Sequence, residues 1–253
     1  MPRFKLTIEY AGTRYSGWQI QKNARTVQGE LDRAIREATG RKDFELYGAG
    51  RTDAGVHALG QVAHLDVAAP MPPQTLRRRI NDELPADINV LSVDPVLRRF
   101  HARHDAVARR YLYQISRRRT AFAKPFVWWV KDPLDLARMR DAARALVGMN
   151  DFAKYAERGD ELDEARERST LVLVERFDIV EEGALVLVVI EGSHFLWKMV
   201  RRLVGALVEA GHGRPMPDDP ARVTAPPSGL FLERVFYAGE PRDLPIRAAV
   251  PCR

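Results

Sequence analysis

The feature that most constrains the fold is the order in which strand-like and helix-like stretches follow one another. "RFKLTIEY" alternates apolar and polar residues, which is typical of a strand with one buried face. In residues 26–40 apolar side chains recur at helical spacing, with Thr26 predicted as N-cap and Gly40 as terminator. "FELYGAG" and "QVAHLDVAA" then predict two strands, residues 74–83 a helix and residues 88–97 a strand. This order, β-α-β-β-α-β, is that of a ferredoxin-like unit.

The second half of the chain follows the same order. "ARRYLYQISR" predicts a strand, and "DPLDLARMRDAARALVG" predicts a helix with Asp132 as N-cap, Pro133 at its first position and Gly148 beyond its end. "TLVLVERFDIV" and "ALVLVVIEG" predict a hairpin across Glu182 and Gly183. An amphipathic helix, "FLWKMVRRLVGALVEAG", and a strand, "GLFLERVFY", complete the pattern.

The repetition predicts an α+β protein of two consecutive ferredoxin-like (RRM-like) halves with mainly antiparallel sheets. Residues 1–100 are expected to form the first domain and residues 101–253 the second, with the active-site cleft between them. The 253 residues are enough for two domains. The charged stretch 157–168 is predicted to form a loop.

Composition and sequence pattern favour a cytoplasmic protein. No apolar run approaches the roughly 20 residues of a membrane span, and "MPRFKLTIEY" lacks the apolar core of a signal peptide. Cys252 is the single cysteine, which excludes an internal disulfide and a cysteine-based zinc site.

Positive charge is concentrated in one part of the sequence. The chain has 40 Lys and Arg against 34 Asp and Glu, a net charge of +6. Residues 98–119 hold eight arginines and one acid, Asp105, interleaved with aromatic side chains. Such a run is either a solvated charged face or an RNA-binding surface, and the aromatic residues favour RNA because rings stack on bases.

The glycine-rich stretch "GAGRTDAGVHA" contains one carboxylate, Asp53, two residues after Arg51. It is either a surface turn or a place where a ligand approaches the backbone. It does not fit a dinucleotide fingerprint, because the sixth residue from Gly48 is Asp53 rather than glycine. It does not fit a P-loop, because Gly55 is followed by Val56.

A metal site could draw on several scattered side chains, namely His57, His64, Asp66, His101 and His104. Apart from the short pair His101 and His104, they lack a recognised ligand spacing, and arginines surround that pair. The sequence therefore predicts neither a metal nor a cofactor. Histidine acting as a general base stays open, but no serine or cysteine nucleophile motif accompanies it.

The carboxylate of Asp53, with Arg51 nearby, favours catalysis by a carboxylate rather than by a metal or a histidine. The guanidinium of Arg51 would orient Asp53 and balance its charge, which suits a nucleophile or a base better than a general acid. Glycosidases need two placed carboxyl groups. Because only Asp53 has an unusual local setting, a single-carboxylate mechanism is the simpler prediction.

Over its whole length the sequence resembles the bacterial tRNA pseudouridine synthase A family. The matching segments, in the family's order, are "EYAGTRYSGWQIQKNARTVQGEL", "GAGRTDAGVHALGQVAHLD", "INDELPADINV", "FHARHDAVARRYLYQI", "FLWKMVRRLVGALVEAGHG" and "TAPPSGLFLERV". The sequence departs from the family at His104 and Asp105, where relatives commonly have Phe-Ser, and in the charged stretch 157–168.

The resemblance implies conversion of uridine to pseudouridine at positions 38, 39 and 40 of the anticodon arm of tRNA. It implies that Asp53 is the nucleophile and that Tyr111 packs against the target base. It also implies that Arg201 pairs with the aspartate and that Arg51 supports the flipped-out nucleotide. The family is homodimeric and uses no cofactor, so tRNA and a second copy of the chain are the expected partners.

Other interpretations of these residues remain. Tyr111 and Tyr113 alternate on a strand, and one of them is expected only to pack. Arg201 lies beside Arg202 and could be a solvated residue, while Trp18 is expected to be structural. The rival function is a non-catalytic RNA-binding protein of the same fold, which the joint presence of Asp53, Tyr111 and Arg201 disfavours. A hydrolase would need a second placed acid.

Overall fold

The computed structural model describes residues 1–157 and 169–252 of the chain. Most of the charged stretch predicted to form a loop, residues 158–168, therefore lies outside the described residues. Within the described part, no helix combines the length and the apolar character needed to cross a bilayer.

The chain forms two compact units, neither of which is continuous in sequence. The first comprises Met1–Val107 and Phe231–Arg242, and the second comprises Ala108–Leu230 and Asp243–Arg253. The prediction divided the chain at residue 100 and assigned the last strand to the second half. In the structure that strand belongs mainly to the first unit.

The fold is mixed α+β, with mostly antiparallel strand pairing. The strands described are β1 (Arg3–Tyr10), β2 (Glu45–Gly48), β3 (His57–Asp66), β4 (Ile88–Val96), β5 (Ala106–Ser116), β6 (Trp128–Trp129), β7 (Gly148–Asp151), β8 (Leu171–Glu182), β9 (Leu185–Gly192) and β10 (Leu230–Tyr237). The α-helices described are α1 (Val27–Thr39), α2 (Pro73–Glu83), α3 (Leu136–Arg144) and α4 (Met199–Gly211). Short 3-10 helices occur in the connections.

In the first unit, β3 is the central strand. It pairs antiparallel with β1 along one edge, and β1 pairs antiparallel with β4. On the other edge β3 pairs with β2 through residues 63–66 and, in parallel, with β10 through His57 and Ala58. The parallel partners of these two residues are Phe231 and Leu232, which ties a distant part of the sequence to the first unit.

In the second unit the strand order is β5-β9-β8-β7, all antiparallel, and β6 pairs in parallel with β5. The predicted hairpin is confirmed, since β8 and β9 are joined across Glu182 and Gly183. Strand β9 is buried along its whole length, in agreement with its continuous apolar run. The two-residue β6 and the four-residue β7 were not predicted.

The signals at the ends of α1 are confirmed. The Thr26 side chain accepts a hydrogen bond from the Gly29 amide, which satisfies one of the free N–H groups of the first turn. Gly40 follows the helix with φ of 66°, a left-handed conformation that glycine adopts without a steric cost. Helix α4 begins later than predicted, at Met199, and Leu196 lies before it.

The prediction for α3 is wrong at both ends. The N-cap is Asp135 rather than Asp132, because the Asp135 carboxylate accepts hydrogen bonds from the amides of Ala137 and Arg138. The helix ends at Arg144, and Gly148 begins a strand instead of ending a helix. Two aspartates precede the same helical pattern, and spacing alone does not distinguish them.

Candidate active site

The structure places the four predicted site residues in two pairs. Arg51 and Asp53 lie in the turn between β2 and β3 of the first unit, with Asp53 half-buried and Arg51 exposed. Tyr111 on β5 and Arg201 on α4 belong to the second unit, and both are half-buried.

The turn that carries Asp53 is hydrogen-bonded on both sides to the segment from Tyr10 to Trp18. The Trp18 amide donates to the carbonyl oxygen of Thr52 at 3.1 Å, and the Gly55 amide donates to that of Tyr15 at 3.2 Å. The turn itself closes through the Val56 amide, which donates to the Asp53 carbonyl at 3.1 Å. The backbone around the aspartate is therefore fixed from both flanks.

Two glycines of the Tyr10–Trp18 segment allow this close approach. A Cβ at Gly12 would lie 1.9 Å from the carbonyl oxygen of Val56, and one at Gly17 would lie 2.5 Å from that of Thr52. Both distances are below any real contact of a Cβ, so larger side chains there would displace the turn.

Buried polar side chains add to the support of the turn. The hydroxyl groups of Tyr10 and Thr52 are hydrogen-bonded at 2.8 Å. His57 is buried, and its Nδ1 accepts from the Gly12 amide at 3.0 Å, so this ring nitrogen already has a structural role. The ring of His57 also stacks on Phe231, with centroids 4.8 Å apart. Sequence reasoning missed these supports, although the glycines of "AGTRYSGW" were a signal for them.

In the second unit, the two tyrosines of β5 have different environments. Tyr113 is 1% exposed and donates to the Pro226 carbonyl at 2.7 Å, and burial raises the pKa of its phenol. Tyr111 is half-buried, and its ring meets that of Phe195 edge to face at a centroid distance of 5.2 Å. Tyr113 is thus the residue that packs in the core.

The adjacent arginines of α4 also differ. The Arg201 Nε donates to the Ala225 carbonyl at 2.7 Å, while the Ala225 amide donates to the Arg201 carbonyl at 3.1 Å. Arg202 is buried, donates to the Ala156 carbonyl at 2.5 Å and forms an ion pair with Glu157. Burial lowers the pKa of Arg202. The stem of Arg201 is therefore fixed independently of its neighbour.

Three of the four histidines considered as metal ligands, His57, His64 and His101, accept hydrogen bonds from backbone amides. His64 Nδ1 accepts from the Ala102 amide at 3.2 Å, and His101 Nδ1 accepts from the amides of Arg103 and His104, each at 3.2 Å. Burial lowers the pKa of His64 to about 4. Among the described residues, no group of three His, Cys, Asp or Glu side chains is arranged to hold a metal ion.

The basic run 98–119 is not one exposed surface, which corrects that part of the sequence interpretation. Arg110 is fully buried and donates to the carbonyls of Leu244 and Pro245 at 3.1 and 3.4 Å. Arg109 donates to the Ser193 carbonyl at 2.8 Å. These contacts tie chain segments together, so at least Arg110 is unavailable to a phosphate.

Comparison with known proteins decides the family. The family model described as tRNA pseudouridine synthase matches residues 6–105 and 142–238, which include Asp53 and Arg201. The chain belongs to the tRNA pseudouridine synthase family. The resemblance noted from the motifs is thereby confirmed, and the synthase is an isomerase that converts uridine to pseudouridine in tRNA.

Curated relatives of this synthase match over nearly their full length. The protein named tRNA pseudouridine synthase A from Nitrobacter hamburgensis is 41% identical over 251 residues, covering 94% of this chain and 100% of the relative. Proteins of the same name from Bartonella tribocorum and Paramagnetospirillum magneticum are 39% and 38% identical, covering 94% of this chain and 100% and 96% of the relatives. A solved archaeal box H/ACA sRNP Nop10-Cbf5 complex has a chain that matches at a TM-score of 0.38 and 11% identity, covering 92% of this chain and 46% of that chain.

Proposed function

We propose that this synthase acts on uridines 38, 39 and 40 in the anticodon arm of tRNA, with Asp53 as its nucleophile. The family resemblance implies the three positions, and the setting of Asp53 is the observation that supports its role as the nucleophile. It is half-buried in a turn whose backbone is hydrogen-bonded on both flanks to the Tyr10–Trp18 segment. A nucleophile needs this positioning, because misplacement by about 1 Å can cost a factor of about 10² in rate.

The reaction is an isomerisation, so its atoms balance within the substrate. The N1–C1′ bond breaks, the uracil turns, and a C5–C1′ bond forms. The proton on C5 is lost and N1 gains one, so no oxidant, reductant or cofactor is required. The carboxylate of Asp53 would attack C1′, add to the uracil ring, or assist formation of a glycal, and the first two routes form and then release one covalent bond.

The other three residues are proposed to act on the same uridine. Tyr111 packs against the target base, and its half-buried ring, packed edge to face on Phe195, supports this role. As the family resemblance implies, Arg201 is proposed to pair with the carboxylate of Asp53. Arg51, exposed in the same turn as Asp53, supports the nucleotide once it has left the base stack.

Further proposals concern the whole molecule. We infer two ferredoxin-like halves, because the order of strands and helices repeats in the sequence. We also propose that the synthase is a cytoplasmic homodimer that binds the anticodon stem-loop, as the family resemblance implies.

Mapping of pseudouridine in defined tRNA tests the proposed positions. Three unmodified tRNA transcripts would each carry uridine at one of positions 38, 39 and 40 and cytidine at the other two. A control transcript would carry cytidine at all three positions. We expect pseudouridine in each of the first three transcripts and none in the anticodon arm of the control. Modification at other positions, with the three uridines left unchanged, would contradict the proposal.

A further inference from the structure

Residues 117–131 of the second unit, called here the basic aromatic strip, combine positive charge with exposed rings. They include no acidic residue. Phe122 is 98% exposed and Trp129 is 43% exposed. The five cations of the strip are all exposed, and they are Arg117, Arg118, Arg119, Lys124 and Lys131.

Most of this charge is not balanced by carboxylates. Arg117 forms an ion pair with Glu181 at 2.8 Å and donates to the Gly183 carbonyl. In the part of the chain that the structure describes, the other four cations of the strip form no ion pair with an acidic side chain. Their charge is therefore available to an anionic partner.

The strip has a fixed backbone despite its exposure. The Ser116 hydroxyl donates to the Arg118 carbonyl at 2.7 Å, and the Ala123 amide donates to the Thr120 hydroxyl at 3.2 Å. Ala123 is only 4% exposed, and its carbonyl accepts from the Phe126 amide at 2.8 Å. Phe122 thus projects from a turn that is anchored on both sides.

An exposed aromatic ring beside cations that lack ion-pair partners can bind single-stranded nucleic acid. Cations contact successive phosphates, and the aromatic ring provides a stacking surface that every base can use. Paired bases are already stacked inside a helix and do not offer their faces, so the expected occupant is an unpaired stretch.

We propose that the basic aromatic strip binds an unpaired nucleotide of the substrate tRNA other than the reacting uridine. Its base stacks on Phe122, and the neighbouring phosphates contact Arg118, Arg119 and Lys124. The proposal rests on tRNA being the substrate and is independent of which uridine is modified or which residue attacks it.

The test compares Phe122→Ala, Phe122→Trp and Met149→Ala. Met149 is the matched control because it is 61% exposed and lies on β7, outside the strip. Stacking of one base on an aromatic ring changes affinity by roughly 5- to 150-fold. We expect Phe122→Ala to raise the Kd for tRNA within that range, Phe122→Trp to restore it, and Met149→Ala to leave it unchanged. The loss should fall on the Kd and not on the single-turnover rate constant at saturating enzyme.

The cations are tested by the salt dependence of binding. A variant combining Arg118→Gln, Arg119→Gln and Lys124→Gln removes up to three phosphate contacts, so the slope of log K against log salt should become shallower by about 2. Arg144→Gln is the control, because Arg144 is exposed but already paired with Asp141. An unchanged Kd and slope in the strip variants would overturn the proposal. Sedimentation of the RNA-free proteins tests the alternative that the strip contacts a second copy of the chain. A different sedimentation coefficient for Phe122→Ala than for wild type would support that alternative and overturn the proposal.

The two proposals fail separately. If wild-type protein modifies uridines other than 38, 39 and 40, the proposed positions are wrong, but the binding comparison is unaffected. If the three positions are modified and the strip variants bind as wild type does, only the strip proposal fails.

Discussion

Adding one methyl group at Gly12 should disable the synthase although it changes none of the four side chains proposed to act at the site. The new Cβ would lie 1.9 Å from the Val56 carbonyl oxygen and 2.6 Å from its carbonyl carbon. Since real Cβ contacts essentially never fall below 3.0 Å, the two backbones must separate by at least about 1.1 Å. The Gly12 amide would also lose its alignment with His57 Nδ1.

A shift of Val56 would also shift Asp53, the proposed nucleophile, because only two residues separate them. The Val56 amide is hydrogen-bonded to the Asp53 carbonyl, so movement of Val56 moves the turn. A misplacement of 1 Å can cost about 10²-fold in rate, and overpacking in a buried site costs about 1–3 kcal/mol of stability. We therefore expect Gly12→Ala to fold with reduced stability and to lose about 10²-fold in single-turnover rate at saturating enzyme.

The assay is release of tritium from tRNA labelled at C5 of uridine, with urea unfolding measured on the same samples. Thr13→Ala is the matched control, because Thr13 is exposed in the same short helix. If Gly12→Ala is too unstable, Thr52→Val tests the same support by leaving the buried Tyr10 hydroxyl without its Thr52 partner, and Thr52→Ser should restore activity. A folded Gly12→Ala protein with a rate within threefold of wild type would refute the reasoning.

Two further predictions concern stability. Burial lowers the pKa of His64 from 6.5 to about 4, so between these pH values the unfolded chain binds a proton that the folded chain excludes. The free energy of unfolding should therefore fall by up to about 3 kcal/mol as the pH is lowered from 6.5 to 4. Urea titrations should show a smaller fall in His64→Gln. An equal fall in both proteins would exclude His64 as the cause. Arg110→Met should lower the free energy of unfolding by about 2–4 kcal/mol, because the carbonyls of Leu244 and Pro245 lose a charged donor whose side chain is fully buried. Arg118→Gln should stay within about 0.5 kcal/mol of wild type, and equal stabilities in urea would mean that Arg110 is not structural.

Signals that act over a few residues were read correctly from the sequence. Thr26 and Gly40 mark the ends of α1 because capping depends on one side chain and one backbone conformation. The β8–β9 hairpin was recognisable from two strand patterns around a glycine. The N-cap of α3 was not, because Asp132 and Asp135 offer the same chemistry three residues apart.

Features that depend on distant parts of the chain could not be read from the sequence. The pairing of Phe231 with His57 places a late strand in the first unit, and no local pattern encodes that choice. The burial of Arg110 follows from carbonyls supplied by the C-terminal segment. For the candidate site, motif resemblance supplied Asp53, and the supporting contacts of the Tyr10–Trp18 segment emerged only with the fold.

The most direct test of the central claim is the activity of Asp53→Asn on tRNA labelled with tritium at C5 of uridine. The substitution keeps the size of the side chain and removes the charge that makes it a nucleophile. We expect no detectable tritium release, while the Kd for tRNA stays within about tenfold of wild type, or about 1.4 kcal/mol. Substantial tritium release by purified Asp53→Asn protein, free of contaminating enzyme, would contradict the assignment of Asp53 as the nucleophile.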